Sequence, residues 1–491
     1  MSTSLKIEKY LNEVMFDVRS LALFRIVLGL SLLYNVVLVK YNYVKEFWGG
    51  SPIIPQAVFQ EMNGVNSFSI FDWIRSDSFA YIFFWVLIGL IIFYTIGYSV
   101  KYVAPVVTFL FWNTLQATGS FIFGFDFFTF QLLFWSCFLP VANHWSLQRE
   151  QRIVSSYFSF VLLVQIGWIY FSTGWAKYGL SWMEGYAVRN MLMDKMAVSS
   201  WAQMLADSST FYKPATYVTL VIERLFPLFI FIPSRKDCLR YIAVLFLLGF
   251  HVMIFACYNV ANFSISGIAV ALLLLPTSFW VSLKFPILKK TLSNQLKPRL
   301  GVAFASFAIF IISYKNVFFL IRYSSIKENE RMTSWIKKVD EYDLGNSIKV
   351  SFFTQFWKMF SPNPPVKGGW LALERKMPNG TYQDFFTAKP IYDPPVMNWK
   401  PTGMEYYLLM YSRTFDFPDG SGDKFKIFLK YWLLDIKKKN NLTESDLNSL
   451  YLTDYLFIIA DQSKAVTPDI SYNMYSAAEL VNTNYKKKID D

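Results

Sequence analysis

The feature that most constrains this chain is a series of nine long apolar stretches, near residues 21–39, 80–98, 102–118, 126–141, 156–175, 216–232, 241–258, 263–283 and 301–321. A hydrocarbon core of about 30 Å takes roughly 20 apolar residues in helix, and a segment in lipid must satisfy its own backbone hydrogen bonds. Each stretch is therefore predicted to be a membrane-crossing helix, those at 102–118 and 126–141 being the shortest. Composition agrees. Of 491 residues, 54% are apolar, 19% aromatic and only 17% charged, and the mean hydropathy is +0.30, whereas a soluble chain carries roughly 25% charged residues. Such a balance excludes disorder, collagen-like repeats and a simple nucleic-acid-binding domain in spite of the net charge of +12. Three scattered cysteines (Cys137, Cys238, Cys257) and two histidines argue against a disulfide framework or a metal centre, so no metal cofactor is expected. The N-terminus lacks the basic start, apolar stretch and cleavage site of a secretory signal, which leaves the first helix as the insertion signal.

Lysine and arginine in the connections set the orientation. With a cytoplasmic N-terminus, the inner segments (1–20, 99–101, 142–155, 233–240, 284–300) hold 14 basic residues in 62 positions, and the outer ones (40–79, 119–125, 176–215, 259–262) hold 7 in 91. The bias runs in the positive-inside direction. The cluster Lys284, Lys289, Lys290, Lys297 and Arg299 then reads as an anchor at anionic lipid rather than a nucleic-acid patch. An odd number of helices places everything after 322 outside the cytoplasm. There the composition gains Pro, Gly, Asp and Lys, and turn signals occur at Pro378-Asn379-Gly380 and Pro418-Asp419-Gly420. GGWLALER reads as an extended run and KFKIFLKYWLLDI as a helix. The expected fold is an α-helical polytopic membrane protein of about nine transmembrane helices with a small C-terminal extracytoplasmic α+β domain. Its parts are a cytoplasmic N-terminus (1–20), a helical membrane domain (21–322) and an exterior domain (323–491). Its expected location is a cell (inner) membrane.

An ionisable side chain inside a transmembrane helix costs about 2.5–3.5 kcal/mol on insertion scales, so each one needs a reason. Arg25, one turn into the first helix, is expected to snorkel to headgroups. Glu223 and Arg224 are adjacent on one helix, point about 100° apart and cannot pair with each other, so at least one must reach another helix. A histidine such as His251 in mid-helix serves as an interhelical hydrogen-bonding residue more often than as a catalyst. Lys315, on the ninth helix, fits a snorkelling role and a functional one equally. In the expected topology Asp126, Lys177, Glu223, His251 and Lys315 all fall in the outer half of the bundle, as a polar pocket roofed by the exterior domain would require.

Four stretches carry a family resemblance. Ser20-LALFRIVLGL, with Phe24, Arg25 and Gly29, resembles the opening helix of the HTTM superfamily, the membrane module shared with vitamin K-dependent gamma-carboxylase. Ala142-Asn-His144-Trp145-Ser146 resembles that family's loop after the fourth helix. Gly174-Trp-Ala-Lys177-Tyr-Gly-Leu-Ser-Trp182-Met-Glu184-Gly185-Tyr186 resembles the carboxylase segment that carries the catalytic lysine. Gln355-Phe-Trp357-Lys-Met359-Phe-Ser-Pro with Gly369-Trp370 is similar to the start of the exterior domain in bacterial members.

The resemblance implies a nine-helix enzyme that uses reduced vitamin K or a menaquinone-type hydroquinone, O2 and CO2 to carboxylate glutamates of an exported peptide or protein. It assigns Lys177 as the base, Asp126 and His251 as further catalytic positions, and Trp175, Tyr178, Trp182, Glu184, Tyr186, Glu223 and Lys315 as the pocket. Asp126 stands where the animal carboxylase carries a second essential histidine. A base must be a neutral lysine, for which desolvation among Phe171, Trp175, Tyr178 and Trp182 is a means. The other reading is a non-catalytic HTTM module that binds a partner and assists maturation or assembly of a secreted or surface protein. Beyond lipid, the expected partner is an exported polypeptide, with no nucleic acid. Lys177→Ala is expected to abolish activity and leave the fold intact.

Overall fold

A computed structural model describes residues 10, 15–54, 58, 69–118, 124–149, 156–194, 197–260, 262–286, 298–323, 334, 360–364, 367–389, 421–458 and 470–482. All nine apolar stretches are helical, because an apolar run closes its own backbone bonds, even across Pro105 and Pro227. The helices are α1 (Val18–Leu33), α2 (Asp77–Ile96), α3 (Val100–Thr118), α4 (Gly124–Ser136), α5 (Ser156–Ala176), α6 (Ser209–Phe231), α7 (Cys238–Cys257), α8 (Phe263–Leu273) and α9 (Pro298–Tyr323). Among the described residues, six are long and apolar enough to cross a membrane: α1 with its continuation to Trp48, α2, α5, α6, α7 and α9. The other three fall short for visible reasons. α3 carries Lys101, Asn113, Thr114 and Gln116, α4 has only 13 residues, and α8 only 11. The stretch read as one helix over 263–283 is two, since the chain leaves helix at Leu274 and Pro276 caps a second short one, Thr277–Ser282.

α1 is the central helix, packed on α2 and α8, while α5 packs on α6 and α9. After Leu33 it winds into a π-helical turn, Tyr34–Lys40, which brings Asn35 and Lys40 to face the interior. Contacts sort the connections into two ends. At one end Arg19 donates to the Pro286 carbonyl (3.0 Å), Leu147 N to Ile96 O (2.9 Å) and the Tyr10 hydroxyl to Phe231 O (2.7 Å). At the other, Asn35 Nδ2 donates to Asn262 (2.9 Å), Asn259 N to Ala197 O (2.8 Å), and Lys439 pairs with Glu46 (3.6 Å). The C-terminal segment thus packs on the end that carries 41–54 and 177–203.

Arg25 does not snorkel. It is fully buried, and its guanidinium donates to the carbonyls of Val141 (2.9 Å), Trp145 (2.5 Å) and Thr95 (3.3 Å) and to the Ser146 hydroxyl. One planar fork with five donors suits this ring of acceptors. Gly97, at φ +81°, leaves room for it: an added Cβ would lie 2.8 Å from Arg25 Nη1. The AlaAsnHisTrpSer loop and the first helix are therefore one structural unit. Of the basic cluster, Lys284 is exposed, whereas 289, 290 and 297 lie outside the described residues.

The C-terminal segment contains the expected strands and helix. β1 (Lys367–Lys376), β2 (Tyr382–Asp384), β3 (Leu450–Ile458) and β4 (Ile470–Ser476) form one antiparallel sheet in the order β2-β1-β3-β4. The Pro378-Asn379-Gly380 turn joins β1 to β2, with Gly380 at φ +83°. Helices α10 (Ser421–Lys439) and α11 (Ala477–Asn482) accompany it, and Ile427, Phe428, Trp432 and Leu433 of α10 bury their side chains. The motif residues 355–359 and the Pro418-Asp419-Gly420 turn lie outside the described residues.

Candidate functional site

Lys177 is the first residue beyond α5, and α6 grips it at both ends. Glu223 accepts the Lys177 ammonium at 2.5 and 2.6 Å. Next to it, Arg224 donates from Nε to the carbonyl of Gly174 and from Nη2 to that of Lys177, both at 3.0 Å, and stacks 5.0 Å from the Trp175 ring. The 100° offset that keeps Glu223 and Arg224 apart lets one turn of α6 hold the side chain and the backbone of the same lysine. Arg224 also supplies donors to carbonyls that the end of α5 leaves unpaired. Gly174 permits the approach, for a Cβ there would lie 2.8 Å from the Glu223 Cβ. Lys177 and Glu223 are buried to 3% and 2% exposure, and Trp182 covers the ammonium at 5.0 Å.

The pair stands at the polar end of a cavity of about 390 Å³ walled by α5, α6, α7 and the start of α8. Phe128, Ile169, Leu192, Phe211, Phe246, Phe250, Met253, Phe263 and Phe360 are among its apolar lining residues, and Thr173, Thr219, Tyr170 and Tyr258 add hydroxyls. Val218, Leu245 and Met253 line the cavity and are also exposed (50%, 69% and 39%). The cavity therefore opens sideways between α6 and α7, on an exposed apolar surface of two helices long and apolar enough to cross a membrane. Behind the wall, His251 Nε2 and the Tyr170 hydroxyl share a hydrogen bond of 2.8 Å, and His251 Nδ1 has no partner among the described residues. Gly267 makes room for the imidazole, since a Cβ there would lie 2.2 Å from it.

The residues expected to share one pocket do not all meet. Lys177, Trp182 and Glu223 line the cavity; His251 reaches it through Tyr170. Asp126 is elsewhere. It pairs with Lys40 at 2.8 Å and accepts from Asn35 Nδ2 at 2.9 Å, inside a separate network in which Asn262 joins Asn35, Ser31 and Thr129. α4 turns its first-turn carboxylate toward α1, which is why an outer position shared with Lys177 does not bring the two together. Trp175 is exposed under Arg224, and Glu184 is exposed. Tyr178 and Lys315 are half-buried and not in the cavity wall, and Tyr186 packs on Tyr212 and Lys213. The sequence reading missed Tyr170 and Thr173, which stand seven and four residues before Lys177 and so share its helix face. It missed Phe360, for which no local signal exists. Lys40, closing the first apolar stretch, was legible as a charge needing a partner.

Among the described residues no group of three or more His, Cys, Asp or Glu could hold a metal. No family model matches the chain, and neither does any curated protein or solved structure.

Proposed function

We propose that the protein is a multi-pass membrane enzyme of gamma-carboxylase type, which uses a lipid-soluble hydroquinone to modify glutamates of an exported polypeptide. The observation that carries the reading is the buried Lys177–Glu223 pair at the closed end of an apolar cavity that opens between α6 and α7. The wall suits a flat ring with a hydrocarbon tail: Phe128, Tyr170, Phe246, Phe250 and Phe263 offer aromatic faces, and the opening at Val218 and Leu245 gives a tail its exit to the bilayer. The hydroquinone, when bound, supplies the electrons that reduce O2 and so generates a base strong enough for a glutamate γ-proton. The residues' part is proton handling. Along the Lys177–Glu223 hydrogen bond a proton can pass from Nζ to the carboxylate without any change of net charge in the cavity. The neutral amine so formed accepts a proton from an acidic hydroxyl, and Glu223 holds the other. Tyr170, backed by His251, offers a second hydroxyl on the same wall. Arg224 holds the lysine backbone still while this happens. In this reading all nine helical segments cross the membrane, with the N-terminus cytoplasmic and the sheet domain outside.

The test supplies purified protein with reduced quinone, bicarbonate and a glutamate-rich peptide. The expected product is a peptide heavier by one CO2 per modified glutamate, absent for Lys177→Met. No product with any lipid quinone, together with an unimpaired cellular phenotype for Lys177→Met, would overturn the enzyme reading in favour of a partner-binding module.

A further inference from the structure

Lys177 is almost fully shielded from solvent. Its lateral door is apolar, which admits a lipid but not a carboxylate. On the side of the C-terminal segment, Phe360–Pro364, a short turning piece of the chain, lies across Gly179–Trp182. It is held by acceptors: Gly179 N donates to Pro362 O (3.0 Å), Ser181 N to Asn363 Oδ1 (3.0 Å) and Trp182 Nε1 to Phe360 O (2.8 Å). The Phe360 ring enters the cavity wall and meets Tyr258 at 5.7 Å.

From this arrangement we infer that Phe360–Asn363 is a displaceable plug, and that a segment of an exported acceptor polypeptide takes its place to deliver a glutamate to Lys177. The identity of the occupant rests on the carboxylase reading; the plug does not. Two backbone carbonyls and one side-chain carbonyl hold the plug, a pattern that a segment of another polypeptide can reproduce with its own carbonyls. Phe360 sits at φ +59°, a left-handed conformation that is strained for a bulky side chain, so leaving this position relieves strain. The plug holds Trp182, whose ring covers the Lys177 ammonium, so its removal frees the side chain that shields the pair. Gly179 is the contact point: an added Cβ would lie 2.2 Å from Asn363 Oδ1, while its own φ of −71° and ψ of 162° suit alanine.

Cys257, a free and buried thiol in the same cavity wall, reports whether the plug is seated. The full chain in proteoliposomes is exposed to a membrane-impermeant maleimide on both sides, and Cys257 labelling is read by peptide mapping. Gly179→Ala, which pushes the plug, and Asn363→Ala, which removes its hold on Ser181, are each expected to label about tenfold faster than wild type, the population change that losing one net hydrogen bond brings. A glutamate-containing peptide slows that labelling, and its alanine counterpart does so less. Unchanged labelling in both folded variants overturns the plug. Faster labelling that no peptide slows overturns the assigned occupant. Faster, peptide-sensitive labelling without carboxylation overturns the carboxylase reading and leaves the plug standing.

Discussion

The Lys177–Glu223 pair makes a quantitative prediction about stability that is separable from activity. Both groups are almost fully buried, and each is the other's counter-charge. Replacing Glu223 with Leu strands an ammonium, and Lys177→Met strands a carboxylate. Stranding one partner of a buried pair costs about 3–5 kcal/mol. An independent ceiling comes from letting the survivor neutralise at pH 7: about 4.6 kcal/mol for an ordinary lysine and about 3.7 for an ordinary glutamate, at 1.36 per pH unit. The two routes agree, and they place Glu223→Leu as the worse single change. The double variant Lys177→Met/Glu223→Leu fills the same space with apolar groups and leaves no stranded charge, so it is expected within about 1 kcal/mol of wild type, with a coupling of about 5 kcal/mol or more. The Arg224 bonds to the Gly174 and Lys177 carbonyls survive all three changes, because they reach backbone. Midpoints of heat-induced unfolding in detergent, followed by tryptophan fluorescence at one scan rate, are expected to fall clearly for both single variants and to recover in the double one. Carboxylation is expected to be lost in all three. Singles as stable as wild type, or a double no better than its worse parent, would refute the view that this pair is dry and mutually dependent. The sequence-based expectation that Lys177→Ala leaves the fold intact is put to the same test: removing the lysine is expected to destabilise unless Glu223 goes with it.

Gly267→Ala drives a methyl into the His251 ring, 2.2 Å away, an overpacking expected to cost about 1–3 kcal/mol. His251→Ala in the same chain is expected to recover most of that loss of thermal midpoint; no recovery would show that Gly267 is needed for another reason. Arg25→Lys replaces a planar fork with a compact ammonium that cannot reach the Val141, Trp145 and Thr95 carbonyls together. Each buried acceptor left bare costs about 1–3 kcal/mol, so limited proteolysis is expected to cut within 141–149 in the variant and not in wild type. Equal resistance would refute the clamp.

The helices were legible because lipid and protein interior impose the same demand on a backbone, and long apolar runs answer both. The break inside 263–283 was written in Pro276, but averaging hydropathy over a window hides one proline among leucines and alanines. Arg25 shows a second limit. A cation one turn inside an apolar run has two remedies, headgroups or a ring of carbonyls, and the second depends on a loop more than a hundred residues away folding back onto it. Asp126 shows a third. Sequence sets the depth of a residue along its helix, whereas the direction it faces around the bundle depends on which helices pack against it. Depth put Asp126 beside Lys177; packing turned it to Lys40.

The comparison between those two ion pairs explains why only one of them is assigned chemistry. Lys40–Asp126 and Lys177–Glu223 are both lysine–carboxylate pairs, with nearly the same separation and nearly the same burial. A buried pair is a weak device for stability, since well-packed apolar residues would serve as well or better, so each needs a further purpose. Lys40–Asp126 is enclosed by Asn35 and, through it, by the Asn262 network, whose mutual hydrogen bonds tie α1, α4 and α8 in one register. Its purpose is fulfilled by packing. Lys177–Glu223 has protein on one side and empty volume on the other, walled by rings and open between α6 and α7. A buried ion pair left facing a cavity is not accounted for by the packing of α5 on α6, and it is the proposed chemistry that gives the charge at that wall a purpose.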